Sequence, residues 1–154
     1  MNRLYIVIRN DLNSMNPGKA MAQCSHASAQ FVAKHPNEAE EWSSEADGFG
    51  STVVMEGNII DIVEAFQSPF IKKHVNGKVV DPTYPFRVQK ELLNLVAVPN
   101  KIKLQIDLES EVDKYGMISA TREETTCYWV YVEDEESAEM VKASFNTHNI
   151  HLCR

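Results

Sequence analysis

The chain has 154 residues, 44% apolar and 24% charged, with a net charge of −7. That is one ordinary domain with enough apolar material for its own core, and no apolar run approaches the ~18 residues of a membrane span. Taken alone, the acidic total argues against a nucleic-acid partner, but the charge comes in blocks: net +3 over residues 1–34, −8 over 35–67, +5 over 68–103 and −7 over 104–154. A fold that gathers the basic blocks would present one cationic face; otherwise such blocks are ordinary solvated surface.

In chain order, Leu4-Tyr5-Ile6-Val7-Ile8 is a continuous apolar run rich in β-branched residues, the pattern of a central strand covered on both faces. No signal-peptide core or cleavage site precedes it, so the three cysteines (Cys24, Cys127 and Cys153) read as free thiols in a reducing cytoplasm. After a polar loop, Asn16-Pro17 opens a helix running to about Lys34, with Asn as cap and Pro in the first helical position. An acidic helix is expected over Glu38–Ala46, a break at Gly48-Phe49-Gly50 and a second strand over Ser51–Met55. Asn58 starts a further helix with Ile59, Ile62, Val63 and Phe66 on one face, ended by Ser68-Pro69. Asn76-Gly77 between Ile71–Val75 and Lys78–Val80 predicts a hairpin with a type I′ turn, followed by a loop over Asp81–Pro85. Val88, Leu92, Leu95 and Val96 predict a helix that Pro99 terminates. From Lys101 the period changes to two, then Tyr115-Gly116 suggests a turn, Met117–Ser119 a short strand and Thr126–Val132 a strong one. Asp134 caps a final helix that buries Ala138, Val141 and Phe145. This order predicts an α/β domain of two or three layers built on a small mixed sheet.

The first helix carries the chemistry. At 100° per residue, Lys19, Gln23, His26 and Gln30 fall within a narrow polar stripe, beside a small-residue stripe of Ala20, Cys24, Ala27 and Phe31. A polar stripe is usually a solvated face. This one has no Glu and no i, i+4 ion pair, and Lys19 lies in the first turn, where the helix dipole disfavours a cation by ~0.3–1 kcal/mol. An anion bound between the ammonium and the free N–H groups would explain it.

Other chemistries fit less well. Gly18-Lys19 lacks a P-loop's first glycine, since Asn13 stands there, and Ala20 replaces the Ser/Thr that holds Mg²⁺. Cys24 and His26 project about 200° apart on the helix and cannot form a nucleophile–base pair. His148, His151 and Cys153 have loose metal-ligand spacing, better read as a chain-terminal tail. Gly48-Phe49-Gly50 is too short for a dinucleotide fingerprint, and the acids Glu133–Glu136 sit where a helix start favours them.

The segment Arg9-Asn10-Asp11-Leu12, then Met15-Asn16-Pro17-Gly18-Lys19-Ala20-Met21-Ala22-Gln23-Cys24-Ser25-His26-Ala27, resembles the opening signature of the second, archaeal and eukaryotic, class of peptidyl-tRNA hydrolases. That signature reads R-x-D-L, then M-x-x-G-K-x-A-A-Q-x-S-H-A, with Met21 here at the first paired alanine. Trp42 and the strand after it are similar to the family's next elements, and Thr126–Phe145 is similar in outline. The family's D-A-G-R-T segment has its nearest counterpart in Asp113-Lys114-Tyr115-Gly116-Met117-Ile118, where Met and Ile replace Arg and Thr.

The resemblance implies a four-stranded mixed sheet packed with helices, one domain over 1–154 with an insertion near 68–100, and no metal or organic cofactor. It implies hydrolysis of the ester between a peptide and the 3′ end of tRNA in the cytoplasm, with the acceptor end of peptidyl-tRNA as partner, no membrane, and room for a homodimer. Lys19, His26 and Asp113 are then the expected catalytic residues, with Asp107 competing for the acid's role. Arg9, Asp11, Gln23 and Gln30 are expected at the substrate, and Lys72, Lys73, Lys78 and Arg87 would extend the RNA-facing surface. Two other readings of the chain predict no turnover: an inactive family member that binds RNA or protein, and an adaptor that uses its acidic blocks and has no RNA affinity.

Overall fold

The apolar run near the N-terminus forms strand β1 (Arg3–Arg9). In the computed structural model, which describes residues 2–89, 105–106 and 116–153, β1 is fully buried from Leu4 to Val7. Its neighbours are β2 (Ser51–Gly57), parallel and in register from Arg3↔Ser51 to Arg9↔Gly57, and β5 (Met117–Val132), antiparallel from Arg3↔Val132 to Ile8↔Cys127. Alternate β1 side chains serve opposite layers. Tyr5 and Val7 pack beneath α3 (Ile59–Phe66) and α5 (Glu135–Thr147), through Ile62, Ala65, Phe66, Val141 and Phe145. Leu4, Ile6 and Ile8 pack beneath α1 (Pro17–Lys34) and α2 (Pro36–Ser43), through Ala27, Phe31, Ala39 and Trp42. Both faces are covered, so the strand is apolar throughout rather than alternating. Each fully buried aliphatic side chain contributes about 1.5–3 kcal/mol.

The sheet order is β3-β5-β1-β2-β6, with β3 spanning Asn76–Gln89 and β6 His151–Leu152; β4 (Gln105–Ile106) pairs with β5. The fold is α/β with a mixed sheet flanked by helices, as the sequence predicts, but the sheet has more than the four expected strands. The chain divides into two compact units, one of residues 1–79 with 126–154 and one of residues 80–125. Within the second unit β4 pairs antiparallel with β5 through Gln105↔Thr121, and Arg122 lies 4.8 Å over the Phe86 ring.

The helix starts follow their caps. Asn16, Asn58 and Asp134 each accept from the backbone N–H three residues on. Ala138, Val141 and Phe145 are buried as expected. The acidic helix begins earlier than predicted, because Pro36 takes the first position, and ends at Ser43. There the Ser43 and Ser44 hydroxyls donate back to the Glu40 and Glu41 carbonyls. Ala46 then turns to φ 50° within a short 3-10 segment, Ala46–Gly48.

The predicted hairpin does not form. The helix before Ser68-Pro69 ends at Phe66 as predicted, and the same pair then starts a new turn, α4 (Pro69–Lys72), with the Ser68 hydroxyl accepting from Ile71 N–H. Gly77 sits within β3 rather than at a bend, because the Trp129 indole packs on it; a Cβ there would lie 2.6 Å from Trp129 Cζ2. Asp81–Pro85, read as loop, continues β3, which is the end strand of the sheet order, where proline is tolerated. Met117–Ser119 and Thr126–Val132 belong to one strand, β5. The helix expected over Val88–Val96 lies mostly outside the described residues, and Val88 and Gln89 are strand. So do most of the period-two segment, Asp107 and Asp113.

Candidate functional site

At the C-terminal end of β1 the chain turns through residues 10–16 into α1. Arg9, the last strand residue, is buried and holds Asp11 with two bonds: Nε to Oδ1 at 3.1 Å and Nη2 to Oδ2 at 2.8 Å. Burial alone would raise the Asp11 pKa. The Arg9 hydrogen bonds and charge, with backbone N–H groups of Asp11 and Ile59, outweigh it and hold the carboxyl below the usual range. Asn10 N–H donates to the Gly57 carbonyl at 2.9 Å, tying the loop to the end of β2.

Lys19 sits on this frame. Its N–H donates to Asn16 Oδ1 at 2.9 Å, and its ammonium donates to the Ser14 carbonyl at 2.9 Å. The first turn of α1 contains no acidic residue. Lys19 is half-buried, because the ammonium folds back over the loop that precedes its helix.

The predicted polar stripe divides. His26 is exposed, whereas Gln23 is only 3% exposed and lies on the buried face of α1 with Ala27 and Phe31. Gln23 Oε1 accepts from the Thr126 hydroxyl at 2.6 Å, and the Cys127 thiol faces the Gln23 carbonyl at 3.6 Å. Gln30 Oε1 accepts from Trp129 Nε1 at 2.8 Å. The packing direction of α1 falls between the polar and small-residue stripes, so two of the four polar side chains serve the sheet. Thr126 was not singled out by sequence, although a hydroxyl heading the apolar run Cys127–Val132 is a readable signal.

A cavity of about 590 Å³ lies beside this loop. Its walls include Ile8 and Arg9 from β1, Asn10, Met15 and Asn16 from the loop, Ala20, Met21 and Cys24 from α1, Val54 and Glu56 from β2, and Cys153. Burial pushes the Cys24 thiol up to about 11 and the Cys127 thiol up to about 12, so both are protonated near neutrality. The Cys153 thiol and His151 Nδ1 both approach the Glu56 carboxylate, at 3.7 and 3.6 Å, while His148 Nδ1 meets the Ser144 carbonyl at 2.8 Å. The three tail residues therefore do not converge. Among the described residues no group of three or more His, Cys, Asp or Glu is placed to hold a metal. Lys72, Lys73 and Lys78 are exposed on the first unit, and Arg87 is exposed in the second.

The family model for peptidyl-tRNA hydrolase PTH2 matches residues 2–81, more than half of the chain. The chain belongs to the peptidyl-tRNA hydrolase PTH2 family. The match takes in β1, the loop, α1 and β2, and with them Arg9, Asp11, Lys19, Gln23, His26 and Gln30. Thr126, which completes the seat of Gln23 in this PTH2 chain, comes from beyond the matched segment. No curated protein matches the chain. Among the described residues of this PTH2-family protein, no helix is long and apolar enough to cross a membrane.

Proposed function

We propose that this protein hydrolyses the ester joining a peptide to the 3′ end of tRNA, releasing the peptide and free tRNA, in the cytoplasm. The observation that carries this reading is the Lys19 ammonium at the start of α1, in a first turn without acids, on a loop braced by the Arg9–Asp11 pair. Family membership supplies the substrate class.

The reaction adds water to the ester carbonyl and expels the terminal ribose oxygen, which takes up a proton as it leaves. Negative charge develops on the carbonyl oxygen, and an aimed cation stabilises it more in the transition state than in the ground state. Lys19 is suited to that role, or to holding a phosphate of the acceptor end. Asp113, with Asp107 as the competing acid, would orient the water. His26, on the exposed side of α1, would contact substrate. Gln23 and Gln30 act through α1, by anchoring it to β5. Arg9 and Asp11 act by fixing the loop.

The test is turnover of a purified N-blocked aminoacyl-tRNA, read as release of the N-blocked amino acid. Multiple turnovers support the reading. RNA binding without turnover would leave an inactive binding module, and absence of both would leave an adaptor. If the basic side chains carry the tRNA contact, affinity falls steeply with added salt.

A further inference from the structure

The cavity beside α1 is not used by any step above. Its charged groups are already engaged: Arg9 by Asp11, and Glu56 by His151 and Cys153. Asn16 accepts from Lys19 N–H. Beside the Asn10 and Asn16 amides, the rest of the wall is mainly carbon and sulfur, from Ile8, Met15, Ala20, Met21, Cys24 and Val54. A lining that is mainly apolar, with its one cation paired to Asp11, suits a carbon side chain better than a phosphate, and the size is that of a small-molecule pocket. The substrate of the proposed reaction has two chemically different halves, a polyanion and a peptide, and this lining complements only the second.

Position supports the match. The Lys19 ammonium rests on the Ser14 carbonyl, and the next residue, Met15, is part of the cavity wall. A reacting ester held at that ammonium would have the cavity one residue away. Two methionines line it, one of them Met21, which is 69% exposed. Unbranched thioether side chains adapt to differently shaped partners, which suits an enzyme whose peptides vary in sequence.

We infer that this cavity receives the apolar side chains of the peptide next to the ester, giving the hydrolase a preference for peptides with a bulky apolar residue there. The inference rests on the proposed hydrolase activity, and two measurements separate their failures. The first compares kcat/KM for N-acetyl-phenylalanyl and N-acetyl-glycyl esters of one tRNA. The expected preference for phenylalanine is at least about tenfold, falling to near one in Met21→Asp, an exposed position where the charge does not disturb the core. Equal rates in the wild type, or an unchanged ratio in Met21→Asp, overturn the inference while leaving the hydrolase reading intact. The second needs no turnover: the Met15 and Met21 methyl resonances are followed while free N-acetyl-phenylalaninamide or N-acetyl-glycinamide is added. Shifts with the first and not the second support the cavity assignment even in a chain that hydrolyses nothing, and absence of shifts with both overturns it.

Discussion

The Thr126 hydroxyl donates to Gln23 Oε1 at 2.6 Å, joining α1 to β5 through two side chains that are almost wholly buried. A polar pair in such a place is costly to break, because the partner left behind has no water to turn to. The bond lies one helical turn beyond Lys19, so it helps set the position of the ammonium. Residues more than a hundred positions apart thus meet at the first helix.

Thr126→Val removes the donor and keeps the shape. It should lower stability by about 1–3 kcal/mol, measured by urea unfolding, and Thr126→Ser should restore most of it. If α1 is held in place by this bond, Thr126→Val also lowers kcat on peptidyl-tRNA.

Lys19→Ala should reduce kcat/KM by about 10²–10³-fold if the ammonium stabilises the developing oxyanion. Stability should change by no more than about 0.5 kcal/mol, since the residue is half-buried and its ammonium bonds a loop carbonyl. Wild-type turnover in this variant would remove Lys19 from the mechanism.

The Asp11 carboxyl is held below its ordinary value, as burial is outweighed by Arg9 and the backbone N–H groups. A depressed carboxylate stabilises the fold fully above its unfolded pKa, near ~4. That contribution is lost as pH falls through the lower folded-state value. Urea midpoints measured from neutral pH down to pH ~3 should therefore fall less steeply in Asp11→Asn than in the wild type. Parallel slopes would mean that the pair does not couple to folding.

Two glycines are held by tryptophans. Gly50 has φ +72°, and a Cβ there would run into the Trp42 ring. Gly50→Ala should cost about 2–4 kcal/mol from backbone strain and overpacking together. Gly77 has no positive φ, so Gly77→Ala meets only the Trp129 ring and should cost less, about 1–3 kcal/mol. Thermal unfolding checks the order, and near-UV circular dichroism reports the displaced indoles.

The thiols should separate by reactivity. At neutral pH a soluble disulfide reagent should modify exposed Cys153 first, Cys24 much more slowly and Cys127 only on unfolding. Their pKa values near 11 and 12 for Cys24 and Cys127 leave little thiolate. Fast modification of Cys127 in the native protein would contradict its burial.

Local chemistry was readable wherever a short stretch carries its own instruction. The apolar run of β1, the Asn16-Pro17 helix start, the Asn58 and Asp134 caps and the dense signature from Arg9 to Ala27 all act within a few residues. The turn expected at Asn76-Gly77 and the loop expected over Asp81–Pro85 are strand instead, because their shape is imposed from afar. Asn76-Gly77 is a turn signal in isolation, but the Trp129 indole occupies the space beside Gly77 and keeps that segment extended. The polar stripe of α1 was correct as a list of angles and incomplete as a site. A helix has no way to encode which neighbour it will lean on, and only its packing against β5 sends Gln23 and Gln30 inward and leaves Lys19 at the loop. The cavity beside that loop exists for the same reason: its walls come from segments that meet only when β1, β2 and α1 are assembled.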